Sequence, residues 1–146
     1  MIEAAKLAGF LAAQAIWDLS TGAALAPVLG YGDSGEERRL ERLPLPDLRS
    51  RLDGNPMKTS RAVLLHEGVG AILLEMRAYA SPKSRVIIAI PFTPASSGRF
   101  EVGGPKFLTF EHCEAFAPEA VGEALFEGVA AHEPGARLWN ESLDAS

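Results

Sequence analysis

The chain has little of what would identify an enzyme or a secreted protein, beginning with cysteine. Cys113 is its single cysteine, so it cannot form an internal disulfide and nothing asks for an oxidising compartment. The first 26 residues are apolar, but Glu3, Gln14 and Asp18 interrupt the unbroken run that a signal peptide requires. A spanning helix requires about 20 predominantly apolar residues, and no later stretch of the chain reaches that length. We therefore predict a cytoplasmic protein that does not act at a membrane.

Basic residues are also scarce. Lys and Arg total 14 against 19 Asp and Glu, which gives a formal net charge of −5 and a pI near 5.2. Affinity for nucleic acid comes mainly from Lys and Arg that neutralise phosphates. The charge balance therefore predicts that nucleic acid is not a partner.

Sequence motifs for metals, cofactors and covalent catalysis are missing as well. Three histidines occur, at His66, His112 and His132, but none forms the short-spaced pair that is typical of a zinc site. Gly68 to Ala71 leads into a predicted strand, unlike a dinucleotide fingerprint, which leads into a helix. There is no nucleophile elbow and no evident pair of catalytic carboxylates. The sequence thus predicts no metal and no cofactor, and favours a protein that is not an enzyme.

Length and composition favour one soluble domain. The chain has 146 residues, of which 47% are hydrophobic and 23% charged, as in ordinary globular proteins. No internal repeat or long linker suggests a boundary, so residues 1–146 are expected to form a single domain. Spacings of three and four between apolar residues predict a helix over about 3–19 and another from Pro118 to His132, stopped by Pro134 and Gly135.

Strand patterns fill the region between these helices. Seven runs have strand length and composition: 25–31, 37–43, 62–66, 71–79, 85–92, 99–102 and 106–110. The connections at 67–70 and 81–84 are too short to join parallel strands, so the central sheet should be an antiparallel meander. Hairpins are expected at 32–35 and at 103–105. The arginine-rich run 37–43 is expected at an exposed edge.

These patterns predict an α+β fold. We expect an antiparallel, meander-like sheet of about five to seven strands, with the N-terminal and C-terminal helices packed on one face. The predicted core contains alternating strand residues and one stripe of the second helix: Ile72, Leu74, Met76, Val86, Ile88, Ile90, Val121, Leu125 and Val129.

One candidate ligand site combines a polar loop with the thiol of Cys113, which we consider as a nucleophile. Ser96, Ser97 and Arg99 lie in a loop whose composition suits anion binding, although it lacks the phosphate-loop pattern. His112 and Cys113 follow the last predicted strand. Strand neighbours point to opposite faces, and acidic neighbours disfavour a thiolate, so we expect Cys113 to be a small buried hydrophobic residue without catalytic function.

The C-terminal quarter is strongly acidic. From Glu111 to Ser146, eight carboxylates oppose one cation, Arg137. Glu119, Glu123 and Glu127 repeat every four residues on the second predicted helix. A solvated helix face explains this stripe; the alternative is a binding surface for a basic protein partner. The arginines of the 37–43 region are a further possible partner within the chain.

Three functions remain open from the sequence. The leading prediction is a non-enzymatic protein-binding or self-associating module, a homodimer formed through helix 1 or an exposed sheet edge. The second is a small-molecule-binding protein or enzyme with a cleft near Cys113, His112 and the 93–99 loop. The third is an anion-binding regulatory domain that uses Arg38, Arg39 and Arg42.

Overall fold

A computed structural model gives the positions of most of the chain. It describes residues 2–22, 27–32, 39–42, 60–66, 70–77, 85–93, 100–111 and 117–145. The elements in these ranges are α1 (Ile2–Ser20), β1 (Val28–Gly32), β2 (Arg39–Arg42), β3 (Ser60–His66), β4 (Ala71–Arg77), β5 (Arg85–Thr93), β6 (Glu101–Val102), β7 (Lys106–Glu111), α2 (Pro118–Ala130) and α3 (Glu133–Ala145). No helix within these ranges has both the length and the apolar character needed to span a membrane.

The strands form one open antiparallel sheet in the order β2-β1-β3-β4-β5, and β6 and β7 both pair with β5. The predicted α+β class and the meander through β3, β4 and β5 are therefore confirmed. The arginine-rich β2 occupies one end of the strand order, as expected. Residues 33–38 lie outside the described ranges, so the hairpin expected at 32–35 remains a prediction.

The sheet has fewer strands of full length than the sequence suggested. Five strands have five residues or more, whereas β2 has four and β6 has two. The predicted hairpin at 103–105 is also wrong, because β6 and β7 pair with β5 and follow one another along it. The Gly103 N–H donates to the Pro91 carbonyl at 2.8 Å, which keeps the Gly-Gly-Pro segment beside β5. These residues interrupt an edge strand without reversing the chain.

The main core lies between one sheet face and the helices. Alternate residues of β4 and β5 are fully buried, and the register places Leu74 opposite Ile88. The predicted strand residues in this core are all confirmed: Ile72, Leu74, Met76, Val86, Ile88 and Ile90. Val121, Leu125 and Val129 are also buried in the same cluster. They belong to α2, which packs mainly against α1, and α1 lies against β1, β3 and β4.

Helix α1 is covered by the rest of its own chain. Ten of its residues are buried, and they include consecutive positions that lie around most of the helix: Ala4, Ala5, Leu7, Ala8, Gly9, Leu11, Ala12, Ala13, Ala15 and Ile16. The helix ends at Ser20. Gly22 follows it with a positive φ of 86°, which suits glycine, and its N–H donates to the Leu19 carbonyl at 3.1 Å. Much of the apolar surface that suggested a dimer through helix 1 is thus buried against the same chain, including Leu11, whereas Trp17 is 42% exposed.

A third helix follows where the sequence suggested a stop. Pro134 lies in the first turn of α3, where a missing N–H is tolerated, so proline and glycine here begin a helix. The Gly135 N–H donates to His132 Nδ1 at 3.2 Å across the junction with α2. On α3, Trp139 is fully buried and its Nε1–H donates to the Gly103 carbonyl at 2.9 Å. Helix α3, which the sequence did not predict, therefore holds the 103–105 segment between β6 and β7.

Candidate interaction surface at the sheet edge

The two ends of the sheet differ in chemistry. β2 is four residues long, and three of them are charged: Arg39, Glu41 and Arg42. Short, charged edge strands discourage pairing with another chain. This edge is therefore poorly suited to bind an added strand.

The opposite edge is formed in part by β7, which carries apolar side chains in solvent. Within the described residues β7 pairs with β5 alone, on one side. Phe107 is 41% exposed and Leu108 is 60% exposed. An edge strand presents a row of backbone N–H and C=O groups on its outer side, and apolar residues there favour association. β7 is the better candidate for a protein-binding edge.

A β-bulge shapes this edge. Thr109 lies opposite Ile87 and Phe107 lies opposite Ile88, so Leu108 is an extra residue in β7. Phe107 is held by an edge-to-face contact with Phe110, at a centroid distance of 5.8 Å. Phe110 is only partly buried and packs against the main core. The apolar edge is thus attached to the core through an aromatic pair.

The other sheet face carries a buried carboxylate. Glu75 is 6% exposed, and Arg85 Nε donates to its Oε1 at 2.5 Å. Arg77 Nη2 lies 3.7 Å from Glu75 Oε2. Arg77 and Arg85 are directly opposed on neighbouring strands, and Glu75 offsets their repulsion. Because both carboxylate oxygens are engaged by arginines, this cluster stabilises the sheet.

A shallow cleft lies beside the interrupted edge. Its volume is about 290 Å³, near the lower limit of ordinary ligand pockets. Three polar residues line it, Thr93, Glu101 and Ser142. The remaining lining comes from Pro91, Phe92, Val102 and Gly103. Two hydroxyls and a carboxylate can hydrogen-bond a small polar molecule, but these lining residues include no paired nucleophile and base.

The acidic stripe is solvated, and one member has a partner within the chain. Glu119, Glu123 and Glu127 are all exposed on α2. Glu127 Oε2 lies 3.5 Å from Lys6 Nζ, with the two side chains 65% and 41% exposed. Such an exposed pair contributes little, on the order of 0 to 1 kcal/mol. The predicted pairing of the stripe with the arginine hairpin is not among the described contacts.

The remaining predicted site residues lie outside the described ranges: Ser96, Ser97, Arg99, His112, Cys113 and Arg38. The cleft expected near Cys113, His112 and the 93–99 loop remains a prediction, as does the separate anion site that includes Arg38. Within the ranges that are described, no group of three or more His, Cys, Asp and Glu residues could hold a metal ion.

The sequence identified β7 as a strand but did not predict that it would expose apolar side chains at a sheet edge. The signal was present in Phe107 and Leu108, two adjacent large apolar residues in a strand where one face is expected to be polar. Their significance depends on the bulge and on the edge position, and neither follows from the strand pattern alone.

Comparison with models of known families, with curated proteins and with solved structures found no significant match. The functional argument therefore rests on the geometry of this chain.

Proposed function

We propose that this chain is a non-enzymatic, self-associating cytoplasmic module whose binding surface is the β7 edge. The observation that carries the proposal is the pair of exposed apolar residues, Phe107 and Leu108, on an edge strand paired on one side among the described residues. Helix α1, the other surface considered, buries ten of its 19 residues against the same chain and exposes one large apolar residue, Trp17.

The occupant we favour is a second copy of the chain. Phe107 and Leu108 are adjacent near the middle of β7. Two antiparallel copies of this strand therefore bring exposed apolar side chains together, which is the pattern of favourable cross-strand pairs. An isologous contact of this kind also closes with two subunits and exposes no further edge of the same type.

Sedimentation velocity over a wide range of protein concentration tests the proposal. We expect a monomer–dimer equilibrium for the chain, whose monomer mass is 15.6 kDa. Leu108→Lys should shift it to monomer, because it places a charge at the most exposed apolar position of the edge. Asn140→Lys is the matched control, since it adds the same charge at an exposed position of α3.

Two outcomes would overturn the proposal. One is a monomer at all accessible concentrations, which would leave a different protein as the partner of this edge. The other is a dimer that Leu108→Lys leaves intact, which would place the interface elsewhere.

A second candidate function, small-molecule binding, is favoured by the cleft between β5, β6 and α3. Native mass spectrometry of the purified chain tests it. A ligand held there should add mass to the wild-type chain and be lost from Ser142→Trp, which fills the cleft. Ligand retention in that variant would exclude this cleft as the binding site.

A further inference from the structure

The junction between α2 and α3 depends on one histidine. His132 follows Ala131, which caps the end of α2. The His132 carbonyl accepts the Ala136 N–H at 2.9 Å, which is the first hydrogen bond of α3. Its Nδ1 accepts the N–H of Gly135, the third residue of α3, at 3.2 Å. These two bonds define the N-cap of a helix, so a histidine occupies the position that Ser, Thr, Asp or Asn usually takes.

This cap requires a neutral imidazole. A neutral ring has one N–H that donates and one bare nitrogen that accepts, whereas a protonated ring has two donors and no acceptor. Because Nδ1 accepts from Gly135, the ring proton must be on Nε2. Protonation would add a second N–H at Nδ1, directed at the Gly135 N–H, and the bond would be lost. Histidine is the side chain that ordinarily changes charge between pH 5 and 8.

Both partners of the cap also contact α1. Phe10 packs edge-to-face on the His132 ring at a centroid distance of 5.6 Å. Gly135 is buried, and the backbone of α1 at Ala13 lies directly against it. A buried N–H that loses its partner destabilises the fold. Loss of the cap therefore acts where α3 packs on α1.

Charged side chains near the junction are already paired. The charged residues that come nearest to its contacts along the three helices are Lys6 and Glu127, 3.5 Å apart, and Glu133 and Arg137, 3.7 Å apart. They are 41% to 84% exposed, so each acts weakly on the imidazole. The C-terminal pole of α2 favours a protonated ring, and the N-terminal pole of α3 opposes it. The bond from Gly135 therefore determines which protonation state holds α3 in place.

We propose that His132 is a pH-sensitive cap, which stabilises the attachment of α3 when its imidazole is neutral and weakens that attachment when the imidazole is protonated. The Trp139 Nε1–H on α3 donates to the Gly103 carbonyl, between β6 and β7. Acidification therefore also weakens the support that α3 gives to this edge of the sheet. This inference goes beyond the proposed self-association and does not depend on it.

Nuclear magnetic resonance tests the protonation pattern. In the full chain at about pH 7.5, proton–nitrogen correlation spectra of the imidazole should show a proton on Nε2 of His132 and none on Nδ1. A spectrum with the proton on Nδ1 would overturn the proposal, because that nitrogen could not accept from Gly135.

His132→Asn is the matched variant for the pH dependence. Asparagine is a preferred N-cap whose side-chain oxygen accepts at any pH in this range, and the variant keeps the other histidines, His66 and His112. Hydrogen exchange of the α3 amides is compared between the two chains at the same pH. The ratio of the wild-type rate to the variant rate should rise about fivefold from about pH 7.5 to about pH 5.5.

Thermal unfolding at a fixed protein concentration provides a second measurement. Between the same pH values, the wild-type Tm should fall about 3 °C further than that of His132→Asn. His132→Ala lacks the cap at every pH, so its Tm should start lower than that of the wild-type chain and should respond to pH as weakly as His132→Asn does.

The outcomes separate this inference from the proposed function. An exchange ratio that stays constant with pH, or wild-type and His132→Asn melting temperatures that fall in parallel, would overturn the cap. A chain that sediments as a monomer but shows the pH-dependent ratio supports the cap and overturns only the proposed self-association.

Discussion

At the scale of single residues, glycines determine how closely the helices approach one another. A Cβ atom at Gly9 would overlap the backbone of α2 at Leu125, and one at Gly128 would overlap the backbone of α1 at Lys6. Gly135 is in the same situation against the Ala13 carbonyl. Glycine lowers intrinsic helix stability, so its presence here reflects the contact between helices.

Two glycines of α2 provide a direct test. Nothing lies within 4 Å of a Cβ built at Gly122, so Gly122→Ala should raise the free energy of unfolding, by up to about 1 kcal/mol. Gly128→Ala should lower it by about 1 to 3 kcal/mol or more, because the new methyl group meets the α1 backbone. Urea denaturation followed by circular dichroism measures both. Equal gains in the two variants would contradict the close contact of α1 and α2.

Glu75 provides a second residue-scale prediction. Removing its carboxylate with Glu75→Ala leaves Arg77 and Arg85 opposed on adjacent strands without their shared anion. We expect a loss of about 2 kcal/mol, less than for a fully buried pair, because the Arg85 side chain is 37% exposed. Glu123→Ala, on the exposed face of α2, is the control and should change stability by less than about 0.5 kcal/mol. Similar values for both variants would show that the Glu75 cluster is not stabilising.

At the scale of elements, local patterns identified the strands but not every boundary. The alternation in β4 and β5 and the short connections correctly predicted an antiparallel meander. Helix α3 was missed because Pro134 and Gly135 usually end a helix, and the same pair also suits a first turn. The choice depends on α1, whose backbone packs against Gly135.

The candidate site was less predictable than the fold for a related reason. Strand spacing correctly located residues 106–110, but a hairpin was expected where β6 and β7 instead follow one another along β5. Two glycines and a proline can either reverse a chain or interrupt it. Trp139, 36 residues away, holds the interrupted segment through the Gly103 carbonyl, and local sequence cannot reveal that contact.

Trp139 tests the role of α3 as an element. Trp139→Ala should lower the free energy of unfolding by about 3 to 5 kcal/mol, because a fully buried ring is lost. Trp139→Phe keeps much of the ring volume but loses the bond to Gly103, and should cost about 1 to 3 kcal/mol. The other tryptophan, Trp17, is 42% exposed, so Trp17→Ala should cost much less than Trp139→Ala. Denaturant unfolding checks the order, and a Trp17→Ala loss as large as that of Trp139→Ala would contradict it.

At the scale of the whole molecule, exposed large apolar side chains lie on the β7 edge and also on α1 and α2, at Trp17 and Phe126. The acidic residues of α2 are solvated, and α1 packs against both this helix and the sheet. The exposed apolar pair on β7 lies at the sheet edge. The acidic stripe lies on α2, which packs mainly against α1, so it belongs to a different element from the proposed interface in a chain with a formal net charge of −5.

Self-association through β7 leads to a prediction about thermal stability. A ligand or partner that binds the folded state alone stabilises it by mass action, so a dimer should melt at higher temperature as protein concentration rises. For a domain of this size, we expect an increase of about 3 °C or more in Tm over a hundredfold rise in concentration. Leu108→Lys should make Tm independent of concentration, whereas Asn140→Lys should retain the wild-type slope. Differential scanning fluorimetry and calorimetry together cover the range, and a Tm for the wild-type chain that does not change with concentration would argue against association through β7.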